Sequence, residues 1–509
     1  MSKLWDKIKG HFRKAIRLFF RITDSVFSFL LPFCPKKFQK WFNNWKPIHL
    51  CWWFKKHDLK VPKYFIGAED YDFITTCNWT ATGTYTMKAY RGGAVDVVTS
   101  YSLFYRKKGD NDWIETTNGE VVIASTGEWE IGNDWNKSGN DCLTHSYSGQ
   151  TGINSCTAVT FNSPGTTVGN YFLYNAWNGC TSLASMPSFT LPAFTTVGSN
   201  FLNQTWEDCT SLTSMPTGFN IPTDITTVGD YFLYGAWEDC TSLTTMGTSF
   251  NIPTGITGDV GDYFLGYAWK SSALTSMPTG FTIPSGITTV GDGFLYLAWN
   301  SCTDLTTMPD DFEIGSGITG TVGNYFLATT WSGCTSLTSM GNSFTIPSGI
   351  TTVGSNFLNQ AWKADTSLTS MPVGFNLPSG LTTIGMLSIA ETWYGCTSLA
   401  SMPVNFDIPG SLTSLGLFGS LVSIWYNCTA LKDDGYTEPI TFKFTATNAF
   451  GGTCPIATDS PAGTQETPVL VQVNRDPPIG WSGTVGGITD PTKVGGLDVE
   501  DIKSIGGVE

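Results

Sequence analysis

The sequence predicts a β-rich α/β solenoid, preceded by a small β-sandwich-like domain and a basic, aromatic helical arm. Three observations carry this. The first is a period: Trp177, Trp206, Trp237, Trp269, Trp299, Trp331, Trp362, Trp393 and Trp425 follow one another at steps of 29, 31, 32, 30, 32, 31, 31 and 32 residues. A fixed period of this size marks units that cannot bury an apolar face alone and stack into one core. The second is a charge asymmetry. Residues 1–63 carry 15 Lys/Arg and 3 Asp/Glu, whereas the remainder carries 13 and 39. The third is a run of short strand-like segments between residues 64 and 158, separated by Gly- and Asn-rich turns.

The arm, residues 1–63, mixes Lys and Arg with large apolar groups, including Trp5, Trp41, Trp45, Trp52 and Trp53. Arg17, Arg21 and Asp24 interrupt its first apolar run, and the uncharged piece from Ser25 to Pro35 is too short to span a bilayer as a helix. Basic stretches with Trp and Phe favour membrane interfaces, where cations meet anionic lipid. Trp5, Arg17, Arg21, Trp41, Trp45, Trp52 and Trp53 are therefore the candidate membrane or assembly contacts. An export signal, an assembly arm and a helical cap remain open readings.

In residues 64–158, segments at Ile74–Thr76, Tyr85–Tyr90, Tyr101–Tyr105 and Val121–Ile123 read as strands of an antiparallel sandwich. Gly109-Asp110-Asn111-Asp112 reads as a hairpin tip. Asp110 and Asp112 suit Ca²⁺, but a turn calls for the same residues.

The repeats occupy residues 159–432. After Val-Gly comes Asn170, Ser199, Asp230, Asp262, Asp292, Asn324 or Ser355. All are good helix N-caps, so a two-turn helix is expected over Phe-Leu-x-x-x-Trp. Cys180, Cys209, Cys240, Cys302, Cys334, Cys396 and Cys428 stand three residues after their tryptophans, and Ser272 and Asp365 hold that place in two other units. A position that accepts Ser and Asp demands neither a bridge nor a metal. Leu and Met three residues apart, as in Leu243 and Met246, give a short buried strand. Phe-x-Ile-Pro then returns the chain. Residues 433–482 read as a β cap and 483–509 as a Gly-rich tail.

The cycle Ala-Trp-x-x-Cys-Thr-Ser-Leu-Thr-Ser-Met, Ile-Pro, Ile-Thr-Thr-Val-Gly resembles the BspA-like (Treponema pallidum-type) leucine-rich repeat. Trp stands where that family has Phe, and Tyr-Phe-Leu-Tyr-Gly at 231–235 lengthens the unit. The resemblance implies a leucine-rich-repeat solenoid that binds protein or adheres at a surface, without enzyme activity.

Composition narrows function. Between residues 151 and 430 the basic side chains are Lys270 and Lys363, and there is no His. This argues against nucleic-acid binding through the repeats and against acid–base or nucleophilic catalysis there. No pattern calls for a cofactor. The expected function is a non-enzymatic binding or adhesion protein at a cell surface or outside the cell, recognising a protein or glycan. A structural or receptor-binding part of a larger assembly, such as a virion appendage or filament, is the second reading, and a homo-oligomer is compatible with both. A third idea is carbohydrate or ice binding by the Ser/Thr rows. Ligand contacts are expected where units differ, beside the predicted helix, at Tyr174, Asn203, Gln204, Tyr267, Tyr296, Asn359 and Gln360.

Overall fold

The computed structural model describes most of residues 73–133, 146–216 and 218–403, parts of 409–430, and four two-residue strands between 484 and 498. The arm of residues 1–63 and the cap at 433–482 lie outside the described residues. The chain divides into two compact units, Met1–Asp70 with Asp110–Trp113, and Tyr71–Gly109 with Ile114–Glu509. The second is the subject here.

Among the described residues its N-terminal part contains nine strands: β1 (Phe73–Trp79), β2 (Gly83–Thr86), β3 (Lys88–Arg91), β4 (Ala94–Val97), β5 (Leu103–Lys107), β6 (Ile114–Thr116), β7 (Glu120–Ile123), β8 (Gly127–Asn133) and β9 (Ile153–Phe161). Five form one sheet in the order β6-β5-β8-β1-β9. β1 lies between β8 and β9 and is antiparallel to both, with Thr75 opposite Ile131 and Val159. Phe73, Cys77, Ile131 and Ile153 are buried from it. The expected sandwich is corrected in scale. Instead of a second full sheet there are two ribbons, β2–β7 and β3–β4. Tyr85 of β2 lies 4.3 Å from Trp79, centroid to centroid.

The expected α/β leucine-rich-repeat solenoid is also corrected. No helix occurs among the described residues, and the sheets within the repeats have two or four short strands, none running their whole length. The largest joins β14 (Thr319–Val322), β15 (Gly349–Val353), β16 (Thr383–Ile384) and β17 (Ser414–Leu415), all parallel. Between them successive units meet through single parallel bridges, such as Ser276 with Thr307 and Thr307 with Ser339.

The segment read as a helix shows why it is not one. Tyr231 and Leu233 lie at φ 57°, Gly235 and Asp239 at φ 55°. Left-handed residues recur at alternate positions from Tyr231 to Gly235 and again at Asp239, and the N–H groups point by turns to a neighbouring unit and to the carbonyl three residues before. Tyr231, Gly235, Trp237 and Asp239 donate to Asp262, Gly266, Ala268 and Lys270 of the next unit at 2.7–2.9 Å. Leu233 donates backward to Phe201 at 3.0 Å, and Tyr234, Ala236, Glu238 and Cys240 each donate to the carbonyl three residues before. An isolated two-turn helix is marginal because its nucleus is costly. Nine of the ten N–H groups from Tyr231 to Cys240 have a backbone partner here, which offsets the roughly 1–2 kcal/mol that a left-handed non-glycine residue costs.

The expected N-caps do a different job for the same reason. Asp230 Oδ1 accepts from Asp262 N at 3.0 Å, Asp262 Oδ1 from Asp292 N at 2.8 Å, and Asp292 Oδ1 from Asn324 N at 2.7 Å. Each caps the same position one unit later. The preceding glycine is required by this approach: a Cβ on Gly354 would stand 2.7 Å from Asn324 N and 2.8 Å from its Oδ1.

Side chains stack in matching rows. Adjacent tryptophans from Trp177 to Trp425 lie 5.0–5.8 Å apart and within 12° of parallel. A phenylalanine row crosses them near 90°, as at Trp299 with Phe281 and Phe312. Tyr147 begins the row, 6.4 Å from Trp177, and donates its N–H to Ala176 O at 2.7 Å. From Cys209 onward each cysteine Sγ of the row donates to the carbonyl of the preceding unit's tryptophan, as from Cys334 to Trp299 at 3.0 Å and from Cys396 to Trp362 at 2.9 Å, while Cys180 donates to Tyr147 O at 3.3 Å. In the tail, Val485 pairs with Ile488 and Val494 with Leu497 in two antiparallel hairpins.

Candidate functional site: a tyrosine terrace bordered by carboxylates

The alternating segment that replaces the helix puts two kinds of position on the surface. One lies six residues before the tryptophan and the other two or three before it. In four consecutive units one or both carry tyrosine. Tyr231 stacks on Tyr263 at 5.3 Å and 7°, and Tyr234 meets Tyr263 edge-on at 5.7 Å and Tyr267 at 5.0 Å. Tyr296 then joins Tyr267 at 5.3 Å and Tyr325 at 5.1 Å. Five of the six rings are half-buried, and Tyr325 is 38 % exposed.

Glycine makes room for this terrace. A Cβ on Gly293 would stand 2.5 Å from the Tyr263 ring, and one on Gly266 would stand 3.1 Å from Tyr234. The rings are therefore seated against neighbouring backbone and against one another. Little rotamer freedom is left to lose on binding, which favours tyrosine as a contact residue. Burial, the main cause, raises the phenols of Tyr234, Tyr263 and Tyr267 further above their ordinary range. They stay neutral and offer hydroxyl donors and acceptors.

A polar row borders the terrace, one residue after each tryptophan. Asn178 Nδ2 donates to Glu207 Oε2, and Lys270 Nζ donates to Glu238 Oε1 at 2.7 Å while lying 5.4 Å from the Tyr267 centroid. Burial pulls the Lys270 ammonium down, but its bond to Glu238 outweighs this and holds it raised. Burial pushes Glu207 up to about 7, with the charges of Glu238 and Asp208 adding and the Asn178 bond opposing. Glu207 lies above its ordinary 4.5 in the folded chain, so its contribution is fully present below that value and is lost as pH rises through about 7. Glu207→Gln should therefore raise the melting temperature at pH 8 and leave it unchanged at pH 4.5, read by calorimetry at both.

The positions expected from sequence divide. Tyr267 and Tyr296 are in the terrace. Tyr174 forms a separate edge-on pair with Tyr171 at 5.5 Å. Asn203 is buried, its Nδ2 donating to Asn200 Oδ1 at 2.7 Å, while Gln204 is half-exposed beside Gly235. Asn359 donates to Ala390 O at 3.2 Å and Gln360 to Glu391 Oε2 at 2.9 Å, where Lys363 also binds. Sequence reasoning missed Tyr231, Tyr234, Tyr263 and Tyr325. The recurrence of Tyr231, Tyr263 and Tyr325 in Tyr-Phe-Leu made them look like scaffold, but the signal was there: tyrosine alternates with Asn200, Gly293 and Asn356 at that position, which a core position would not tolerate. Trp5, Arg17, Arg21, Trp41, Trp45, Trp52 and Trp53 lie outside the described residues.

The Ser/Thr rows direct hydroxyls at the backbone: Thr244 Oγ1 donates to Thr213 O at 3.2 Å, and Thr306 Oγ1 to Thr275 O at 3.1 Å. Among the described residues no group of three or more His, Cys, Asp or Glu could hold a metal ion, and no helix is long and apolar enough to cross a membrane. No family model, curated protein or solved structure matches the chain.

Proposed function

We propose that this chain is a non-enzymatic binding protein that works at a cell surface or outside the cell, and that the tyrosine terrace is its recognition surface for a protein partner. One observation carries the reading: six tyrosines from four consecutive repeats are in mutual contact and partly exposed. Tyrosine is enriched where interfaces concentrate their binding energy. The surroundings support a protein partner. Gly266, Gly293, Asn300 and Ser332 lie among or next to the rings and their polar border. Tyr with Ser, Gly and Asn is the composition of antibody paratopes, where rigid rings supply area and small residues supply adaptable hydrogen bonds. Lys270 and Glu238 then act as a rim pair that orients the partner.

The test uses the full chain, fluorescently labelled, and intact cells or envelope fractions of its native source. The triple variant Tyr263→Ala, Tyr267→Ala, Tyr296→Ala should bind at least about tenfold more weakly, since a hot-spot truncation costs about 2 kcal/mol or more. Circular dichroism should report an unchanged fold. Equal binding by the folded variant would sink the proposal, and binding lost only on deleting residues 1–63 would move recognition to the arm.

A further inference from the structure

The row of cysteines contains one ionisable intruder. Cys302 Sγ donates to Trp269 O at 3.0 Å, Cys334 Sγ to Trp299 O at 3.0 Å, Cys396 Sγ to Trp362 O at 2.9 Å and Cys428 Sγ to Trp393 O at 2.9 Å. By that register the residue at 365 faces the carbonyl of Trp331. It is an aspartate, completely buried. Its Oδ1 accepts from Cys334 N at 2.9 Å, and Cys334 N also donates to Trp331 O at 3.0 Å. The carboxyl group therefore sits beside the Trp331 carbonyl, where a thiol sits in neighbouring units. Its Oδ2 is buried with no hydrogen-bond donor.

We propose that Asp365 is a pH-operated latch between two repeats: protonated, its Oδ2–H donates to Trp331 O in place of the missing thiol, and ionised, it leaves an uncompensated charge in the core and loosens that joint. A carboxylate can only accept, and the Trp331 carbonyl can only accept, so the ionised form sets two oxygens against each other at the point where the units on either side have a thiol donor. A buried charge without a partner is among the costliest things a core can hold.

The groups around it do not neutralise that charge. From the preceding unit it faces Cys334, and from the following unit Cys396, both thiols pushed well above their ordinary range by burial, with the Asp365 charge adding. In its own unit Lys363 is engaged elsewhere, 2.6 Å from Glu391 and over the Tyr394 ring. Burial likewise holds the Asp365 carboxyl well above its usual range against the opposing N–H groups of Cys334 and Gly333. A folded-state value above the unfolded one places the latch closed at low pH and opening as pH rises. The device is independent of the terrace and of what binds there.

Asp365→Cys restores the residue found in the other rows and should fold. The experiment compares it with the unaltered full chain under reducing conditions, from pH 5 to pH 9. Thermal unfolding should show the unaltered protein falling behind the variant by at least about 3 °C at the alkaline end, the two converging at the acid end. Glu207 titrates in both and cancels in the difference. Hydrogen exchange, corrected for intrinsic rate, should show residues 331–368 losing protection with rising pH in the unaltered chain alone. Asp365→Asn, whose amide donates at every pH, should behave as the cysteine variant does. If Asp365→Cys follows the unaltered protein in both readouts across the range, the latch does not exist.

Discussion

Trp299→Ala is expected to cost about 3–5 kcal/mol, the range for deleting a fully buried large aromatic. Trp299 is completely buried, with Trp269 at 5.0 Å and Trp331 at 5.6 Å on its faces. Phe281 and Phe312 meet it edge-on, each at 6.0 Å. None of these four can fill the space without leaving its own row, because each is stacked on a neighbour of its own kind. The cavity therefore cannot collapse. The loss should appear as a lower urea midpoint and as raised hydrogen exchange in residues 260–345, while β1–β9 keep their protection. Trp299→Phe should lose less, since a ring still separates Trp269 from Trp331.

Gly354→Ala should be about as damaging, although it adds only one methyl group. The new Cβ would meet Asn324 N and Gly323 C at 2.7 Å and Asn324 Oδ1 at 2.8 Å. These are backbone atoms, or a side chain held by its bond from Ser355 N at 2.8 Å, so nothing flexible can yield. The unit must part from its predecessor, breaking the bond from Gly354 N to Val322 O at 3.1 Å and the Asn324 cap together. A loss of at least about 3 kcal/mol follows from overpacking against rigid neighbours. Limited proteolysis should cut between residues 322 and 356. Gly380→Ala is the control: its nearest neighbour would be a threonine methyl at 3.8 Å, and stability should barely change.

These two sites mark where sequence was a good guide and where it was not. The buried rows were legible, because Trp, Leu, Met and Cys recur at one period and a stacked core needs matching residues one unit apart. The backbone between Val-Gly and Cys was not. In residues 231–240 the buried hydrophobic set is Phe232, Leu233, Ala236, Trp237 and Cys240, a spacing that a two-turn helix would bury equally well. What decides between the two is the destination of the N–H groups. Tyr231, Gly235, Trp237 and Asp239 bond to residues about 31 positions away, and no local pattern encodes that. The capping residues misled for the same reason: Asp230 is a good acceptor, but its donor is Asp262 of the next unit and not its own first turn.

The terrace was legible in part. Variation between units pointed to Tyr267 and Tyr296. It missed Tyr231, Tyr234, Tyr263 and Tyr325, whose role depends on rings from adjacent units meeting over Gly266 and Gly293. Asn203 varies between units yet is buried, its Nδ2 donating to Asn200 Oδ1 at 2.7 Å.

The central claim is that the repeats are joined sideways, through residues of alternating handedness, rather than through helices. The most direct test is the backbone φ of Tyr231, Leu233 and Asp239, measured by NMR coupling constants and intraresidue amide–Hα cross-peaks on residue-selectively labelled protein. The account predicts positive φ at all three, near 57°, 57° and 55°, with negative φ at Phe232 and Trp237 between them. Negative φ throughout 231–239 would mean a helix and would contradict it.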